Sequence, residues 1–278
     1  MVILIRRNLD FYDEFRDWYC KIIKDFKFDS QKDSFARNYL SNMIKQKKEW
    51  NLTAILFSFQ DIISRKKIIL IYGCGISLEE TTDYLLKNNV DLNNERIFNI
   101  AADGASRFLK ERNIPIGAIF SDLDGITTTE FMYPEYMIVH AHGDNIDKLK
   151  IFEKEILDFD NIVFTCQVKP DENILNPGGF TDGDRILFFL RPMLLPSHKI
   201  FLIGMDFTNR VGKYSKLGFQ KNHKASENKQ KKLKYAAQLI DWLDEYIENE
   251  MNYVNSYKPS ERYKNLELQQ FIKKIKQL

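Results

Sequence analysis

Two patterns of hydrophobic spacing succeed one another along the chain. In the first 64 residues, "NLDFYDEFRDWYCKIIKDFKF" and "KDSFARNYLSNMIKQKKEW" set apolar side chains three and four apart with charges between them, the spacing of amphipathic helices. No glycine occurs before Gly73. Residues 1–64 are therefore expected to form a helical N-terminal subdomain. From Lys67 the pattern changes to short apolar runs, "KIILIY", "RIFNIA", "GAIFSD", "YMIVHA", "NIVFTC" and "KIFLIG", separated by segments with helical spacing. Runs rich in β-branched and aromatic residues that alternate with helices predict an α/β fold, a mostly parallel sheet with helices on both faces, over residues 65–250. The long amphipathic segment "ASENKQKKLKYAAQLIDWLDEYIENE" closes this unit, and the Lys-rich residues 251–278 are expected to pack peripherally.

Each expected strand runs into a polar or glycine-rich cluster at its C-terminal end: "GCGISLEE", "ADGAS", "LDG", "HGDN" and, after a loop, "NPGGFTDGD". Open α/β sheets bind ligands in the crevice beyond those ends, and five clusters on one edge predict a site there. "GCGISL" has two glycines of a dinucleotide fingerprint but Leu78 where the third belongs, and no P-loop lysine follows. It reads either as a phosphate-holding turn, with Gly73, Gly75 and Ser77 offering backbone N–H groups, or as an ordinary strand-to-helix turn that Ser77 caps.

"SDLDG" places Asp122 and Asp124 two apart, so in an extended segment both carboxylates face one way. Like charges that close need a cation, and oxygen-only ligands suit Mg²⁺. An EF-hand is excluded by Thr127 at its sixth position. "HAHGDN" nearly matches the H-x-H-x-D-H pattern of metallo-β-lactamase-type hydrolases, but Asn145 stands at the last histidine. Only His198 and His223 remain elsewhere, so a dinuclear zinc site lacks ligands. The better reading takes Asp144 as a third carboxylate beside Asp122 and Asp124, with Asn145 and Lys148 opening the next helix near phosphate. In "GGFTDGDR", Thr181, Asp182, Asp184 and Arg185 open a helix. Arg185 is a candidate phosphate clamp and the aspartates are candidate acceptors for a donor-rich heterocycle; the plain alternative is an acidic N-capped helix.

Composition narrows the picture. Lys+Arg 41 against Asp+Glu 39 in 278 residues gives a formal net charge of +2, which provides no electrostatic reason to expect nucleic acid or a membrane as partner. No stretch approaches the ~18 uninterrupted apolar residues of a membrane span. Cys20, Cys74 and Cys166 are odd in number and far apart, so neither a disulfide framework nor a structural zinc site is expected and a reducing cytoplasm fits.

Taken in order, "GCGISL", "AADGA", "SDLDG", "HAHGDN", "GGFTDGDR" and "GMDF" resemble the archaeal 6-hydroxymethyl-7,8-dihydropterin diphosphokinases, the MptE-like proteins, over roughly residues 65 to 250. More distantly, "ADGA", "SDLDG" and "GDNIDK" are similar to segments of thiamin pyrophosphokinases. Ile76 stands where the family's glycine loop usually has proline. The resemblance implies a thiamin pyrophosphokinase-like α/β domain that transfers diphosphate from ATP to a hydroxymethyl group with Mg²⁺, releasing AMP, in folate or methanopterin biosynthesis. On this reading Asp122, Asp124 and Asp144 hold the metal, and Arg185, Lys148 and Lys213 neutralise phosphate charge. Asp103, Asp182 and Asp184, with Thr181, orient pterin or ribose. Rival readings are a thiamin pyrophosphokinase, a glycosyltransferase-like protein and a nucleotide-binding regulatory domain; a homo-oligomer stays open.

Overall fold

A computed structural model describes residues 2–277. Four helices come first: α1 (Val2–Leu9), α2 (Tyr12–Phe26), α3 (Ser30–Ile44) and α4 (Leu52–Ser64). Asp29 caps α3 and Asn51 caps α4, each side chain accepting a backbone N–H of the first turn. The alternating part follows as β1 (Ile68–Tyr72), α5 (Leu78–Lys87), β2 (Ile97–Ala102), α6 (Ala105–Glu111), β3 (Ala118–Ser121), β4 (Tyr136–Ala141), α7 (Ile146–Ile151), α8 (Glu153–Asp158), β5 (Ile162–Cys166), α9 (Asp182–Leu190) and β6 (Lys199–Ile203). A two-stranded ribbon, β7 (Arg210–Val211) with β8 (His223–Lys224), precedes α10 (Glu227–Trp242). Among the described residues no helix is long and apolar enough to cross a membrane.

The main sheet has eight strands, all parallel, and every residue of β1 to β5 is buried. That explains why these strands read as unbroken apolar runs rather than as alternations. From β1 the chain steps outward through β2, β3, β4 and β5, then returns to lay β6 on the other side of β1. The reversal falls between β1 and β6, and crossovers on its two sides cover opposite faces.

One expectation needs correction. The segment thought to end a helix and begin a peripheral tail contains β9 (Glu250–Val254), which pairs with β6, then β10 (Lys264–Leu266) at the sheet edge and α11 (Leu268–Ile275). Phe271 of α11 packs edge-on against Phe201 of β6, ring centres 4.8 Å apart. With the polar Glu250 and Asn252 among its five residues, β9 is too mixed to announce a buried strand. Glu250 is matched by Lys199 at 3.0 Å and by Lys274.

The N-terminal helices belong to the same hydrophobic core as the sheet. Phe59 of α4 stands edge-on to Phe98, Tyr136 and Phe189 at 5.9, 4.9 and 5.6 Å. The Trp50 indole donates to the Ile162 carbonyl of edge strand β5 at 2.9 Å. Emptying the Phe59 position with Phe59→Ala should lower stability by about 3–5 kcal/mol, because Phe59 is 1% exposed and joins α4 to the sheet. Urea unfolding should show one transition moved as a whole. A separate early transition confined to the N-terminal helices would show that they fold apart from the sheet.

Candidate active site

The polar clusters gather at the C-terminal strand ends, as their positions required. At the end of β1 the turn Gly73–Cys74–Gly75 runs hard against the loop after β6: Gly73 N donates to Ile203 O at 2.8 Å and Gly75 N to Gly204 O at 2.7 Å. A Cβ at Gly75 would lie 2.4 Å from Asp206 Oδ2, so only glycine fits. Ser77 is neither a cap nor a phosphate donor. Its N–H and hydroxyl both donate to buried Asp206, at 2.7 and 3.0 Å. With the amides of Gly73, Gly75 and Ser77 spent inside the protein, this loop offers a ligand its shape rather than those N–H groups.

Asp103 follows β2 with φ 47, a left-handed conformation that Asp tolerates better than most residues. Its Oδ1 accepts from Ser121 Oγ at 2.6 Å and Gly125 N at 3.1 Å. A Cβ on Gly125 would come within 2.0 Å of its other oxygen, so "SDLDG" needs its glycine for Asp103. Asp122 follows β3, accepting from Asp124 N at 3.1 Å and facing His142 Nε2 at 3.4 Å. His142 Nδ1 accepts from Asp144 N at 3.2 Å, so the ring proton sits on Nε2 and is shared with Asp122. Asp182 opens α9.

Oxygens of Asp103, Asp122 and Asp182 all lie within 4.8 Å of one another. Among the described residues this is the single group of three ligating side chains close enough for one ion, and it contains no histidine. Burial, with Asp122 next, pushes Asp103 up to about 7, and burial, Asp122 and Asp103 together hold Asp182 well above the usual carboxylate range. Burial also opposes ionisation of Asp122, but the contact with His142 and the Asp124 amide outweigh it and hold Asp122 at about 2. One buried and two half-buried carboxylates without a neutralising partner of equal charge form a hard oxygen donor set that could take a divalent cation.

This grouping differs from the expected trio of Asp122, Asp124 and Asp144. Leu123 has φ 69, so the segment turns instead of staying extended, and the Asp124 carboxylate swings out to Lys216 at 3.4 Å. Asp144 is exposed on the rim. Asn145 holds the loop internally: its Nδ2 donates to the Asp122 and His140 carbonyls at 2.9 and 2.7 Å, and its Oδ1 accepts from His142 N at 3.0 Å. Asp184 is a cap: its carboxylate takes the Phe180 and Thr181 amides at 2.6 and 2.8 Å and the Thr181 hydroxyl, closing a capping box. Arg185 is buried, donating to the Gly178 and Phe180 carbonyls at 3.2 and 3.4 Å.

Two cavities meet at the acidic group. The first lies between the ends of β1 and β6 and is lined by Gly73, Gly75, Asp103, Met205 and Leu233. The second lies beyond β3, β4 and β5 and is lined by Asp122, His140, Gln167, Phe180 and Arg185, with Phe28 and Asp33 from the N-terminal region. Thr181, Asp182 and Lys229 line both. Lys148 lines neither, and Lys213 is paired with Glu79 at 2.7 Å. The cations that do line the cavities include Lys229 and Lys232 on α10. They were hidden in a run of lysines; their phase with Leu233 and Ala236, three and four residues apart along the apolar face, is the signal that could have singled them out.

An open parallel sheet with an acidic group at its strand ends, where two cavities meet, defines an α/β protein with a polar cleft along that edge. Residues 37–212 match the family described as 6-hydroxymethylpterin diphosphokinase MptE-like. The chain belongs to that family. Three curated relatives, each named 6-hydroxymethyl-7,8-dihydropterin pyrophosphokinase, are similar over most of its length. The Pyrococcus furiosus protein is 35% identical, covering 84% of this chain and 94% of its own. The Methanocaldococcus jannaschii protein is 35% identical, covering 85% and 97%, and that of Methanothermobacter thermautotrophicus 32%, covering 82% and 92%.

Two expectations follow from the geometry. Asp184→Ala leaves the Phe180 and Thr181 donors unmatched and should cost about 1–3 kcal/mol, whereas Asp182→Asn relieves repulsion and should not destabilise; equal losses in urea titrations would refute the division of labour. Because Asp103 is raised in the folded chain, its contribution to stability is complete below its ordinary 3.8 and is lost as pH rises through about 7. Without added metal, the melting temperature of the wild type should therefore fall relative to that of Asp103→Asn between those limits. Parallel profiles would contradict the shift.

Proposed function

We propose that this chain transfers diphosphate from ATP to the hydroxymethyl group of 6-hydroxymethyl-7,8-dihydropterin, with Mg²⁺, releasing AMP, in the pathway to folate or methanopterin. The observation that carries the reading is the position of the Asp103, Asp122 and Asp182 group where two cavities meet. A transfer between two substrates needs two adjoining pockets with the charge-handling groups at their junction. The names of the relatives supply the acceptor.

Asp103, Asp122 and Asp182 would hold Mg²⁺, which supplies positive charge at the phosphate oxygens when bound. The chain's own groups do the rest. The glycine turn lets the donor approach the backbone closely, and Lys229, lining both cavities, neutralises charge on the group in transit. Lys232 adds a second cation. The hydroxymethyl oxygen bonds to the β-phosphorus, the bond from that phosphorus to the α,β-bridging oxygen breaks, AMP leaves with the electron pair and the hydroxyl proton is released. Such a step is mainly positioning and electrostatics, so no dedicated base is required.

Incubation with ATP, Mg²⁺ and the pterin alcohol should yield AMP and the pterin diphosphate by mass spectrometry. Asp122→Asn and Asp182→Asn should each reduce turnover at least ~100-fold, while Asp124→Asn, which alters a carboxylate outside the group, should stay within about threefold. Failure to form AMP, or preference for thiamin as acceptor, would refute the proposal.

A further inference from the structure

The two cavities differ in ways that assign them to the two substrates; this step rests on the proposed function. The first cavity occupies the β1–β6 reversal, the crevice where open sheets take nucleotides. The second lies away from it and needs another explanation. Its wall is set by a buried hydrogen-bond network anchored on Asp33 of α3, which accepts from Tyr19 Oη at 2.9 Å, Gly143 N at 2.8 Å and Gln167 Nε2 at 2.8 Å. Fixing Nε2 fixes the orientation of the Gln167 amide and leaves Oε1 as the acceptor this side chain can offer. Beside it, His140 engages Thr165 through Nδ1 at 3.1 Å while its Nε2, on the side of the Gln167 amide, makes no hydrogen bond of ordinary geometry, and the Nε of Arg185 has no partner. Both residues are more than nine-tenths buried and line this cavity. Phe28 and Phe180, ring centres 6.4 Å apart, supply aromatic surface.

We propose that the second cavity is the pocket of the acceptor heterocycle, with Gln167 as its specificity-determining contact and the N-terminal helices as one of its walls. A pterin presents a flat ring and an edge on which amine and amide donors alternate with carbonyl and ring-nitrogen acceptors. An oriented amide oxygen, flanked by an imidazole and a guanidinium with spare capacity and by two aromatic rings, matches that edge in kind. Sites whose polar groups are already committed discriminate strongly, because a mismatched ligand leaves them unpaired. Asp33 does not contact the ligand in this scheme. It positions Gln167 and the Gly143 turn, which ties the N-terminal helices to recognition.

The test is equilibrium binding to the full chain of two probes separately, 6-hydroxymethyl-7,8-dihydropterin and, with Mg²⁺, α,β-methylene ATP. Gln167→Leu should weaken the pterin by about tenfold or more while leaving the ATP analogue within about twofold. Phe28→Ala, at a half-buried site that tolerates truncation, should show the same selectivity and carries the test if Gln167→Leu does not fold. A wild type that binds both probes, with variants that lose only the ATP analogue or neither, overturns this assignment alone. A wild type that binds the ATP analogue and not the pterin overturns the proposed function and this assignment with it.

Discussion

Three carboxylates held within 4.8 Å of one another repel each other, and no fold assembles such a group unless the surrounding backbone leaves them no alternative. Much of the architecture around the site answers that constraint. Asp103 is held by the Ser121 hydroxyl and the Gly125 amide, Asp122 by His142 and the Asp124 amide, and Asp182 by its place at the start of a helix whose cap Thr181 and Asp184 close. The supports of Asp103 and the His142 contact of Asp122 come from neighbouring strand ends, so the group exists only when the sheet is assembled. The repulsion that would disperse these side chains is what gives the group its capacity to take up positive charge.

A second consequence of the sheet is the division of space around the acidic group. Because β6 returns to the far side of β1, one crevice opens between those two strand ends, and a second lies beyond β3, β4 and β5. Asp182, opening the helix that leads back toward β6, stands between them. Lys229 reaches the same place from α10. With Thr181, these are the side chains that line both cavities.

The N-terminal helices take part in more than stability. Their aromatic residues close the core beside α9, with Phe15 against Phe188 at 5.4 Å, while Asp33 reaches past them to bind the loop after β4 and the end of β5. A buried carboxylate satisfied by three donors from separate elements is costly to disturb. It therefore fixes the helices and the cavity wall relative to one another.

The sheet strands from β1 to β6 and the helical start were legible because burial leaves its period in the chain: unbroken apolar runs where both faces are covered, three-and-four spacing where one face is. The edge carrying the site was legible for the same reason, since polar clusters recurred after each run. What local pattern cannot show is how a turn aims a side chain or which distant turns share a point. The left-handed Leu123 sends Asp124 away from Asp122, and the reversal of strand order lets Asp182 meet Asp103 across 78 intervening positions. The Asp206 carboxylate takes the Ser77 donors that the glycine turn had been expected to offer phosphate. Composition and periodicity determined the fold class, the edge and the kinds of chemistry available there. The tertiary structure alone decided which carboxylates stand together and which lysines line the cavities beside them, because those depend on backbone dihedrals and strand order, which leave no period in the sequence.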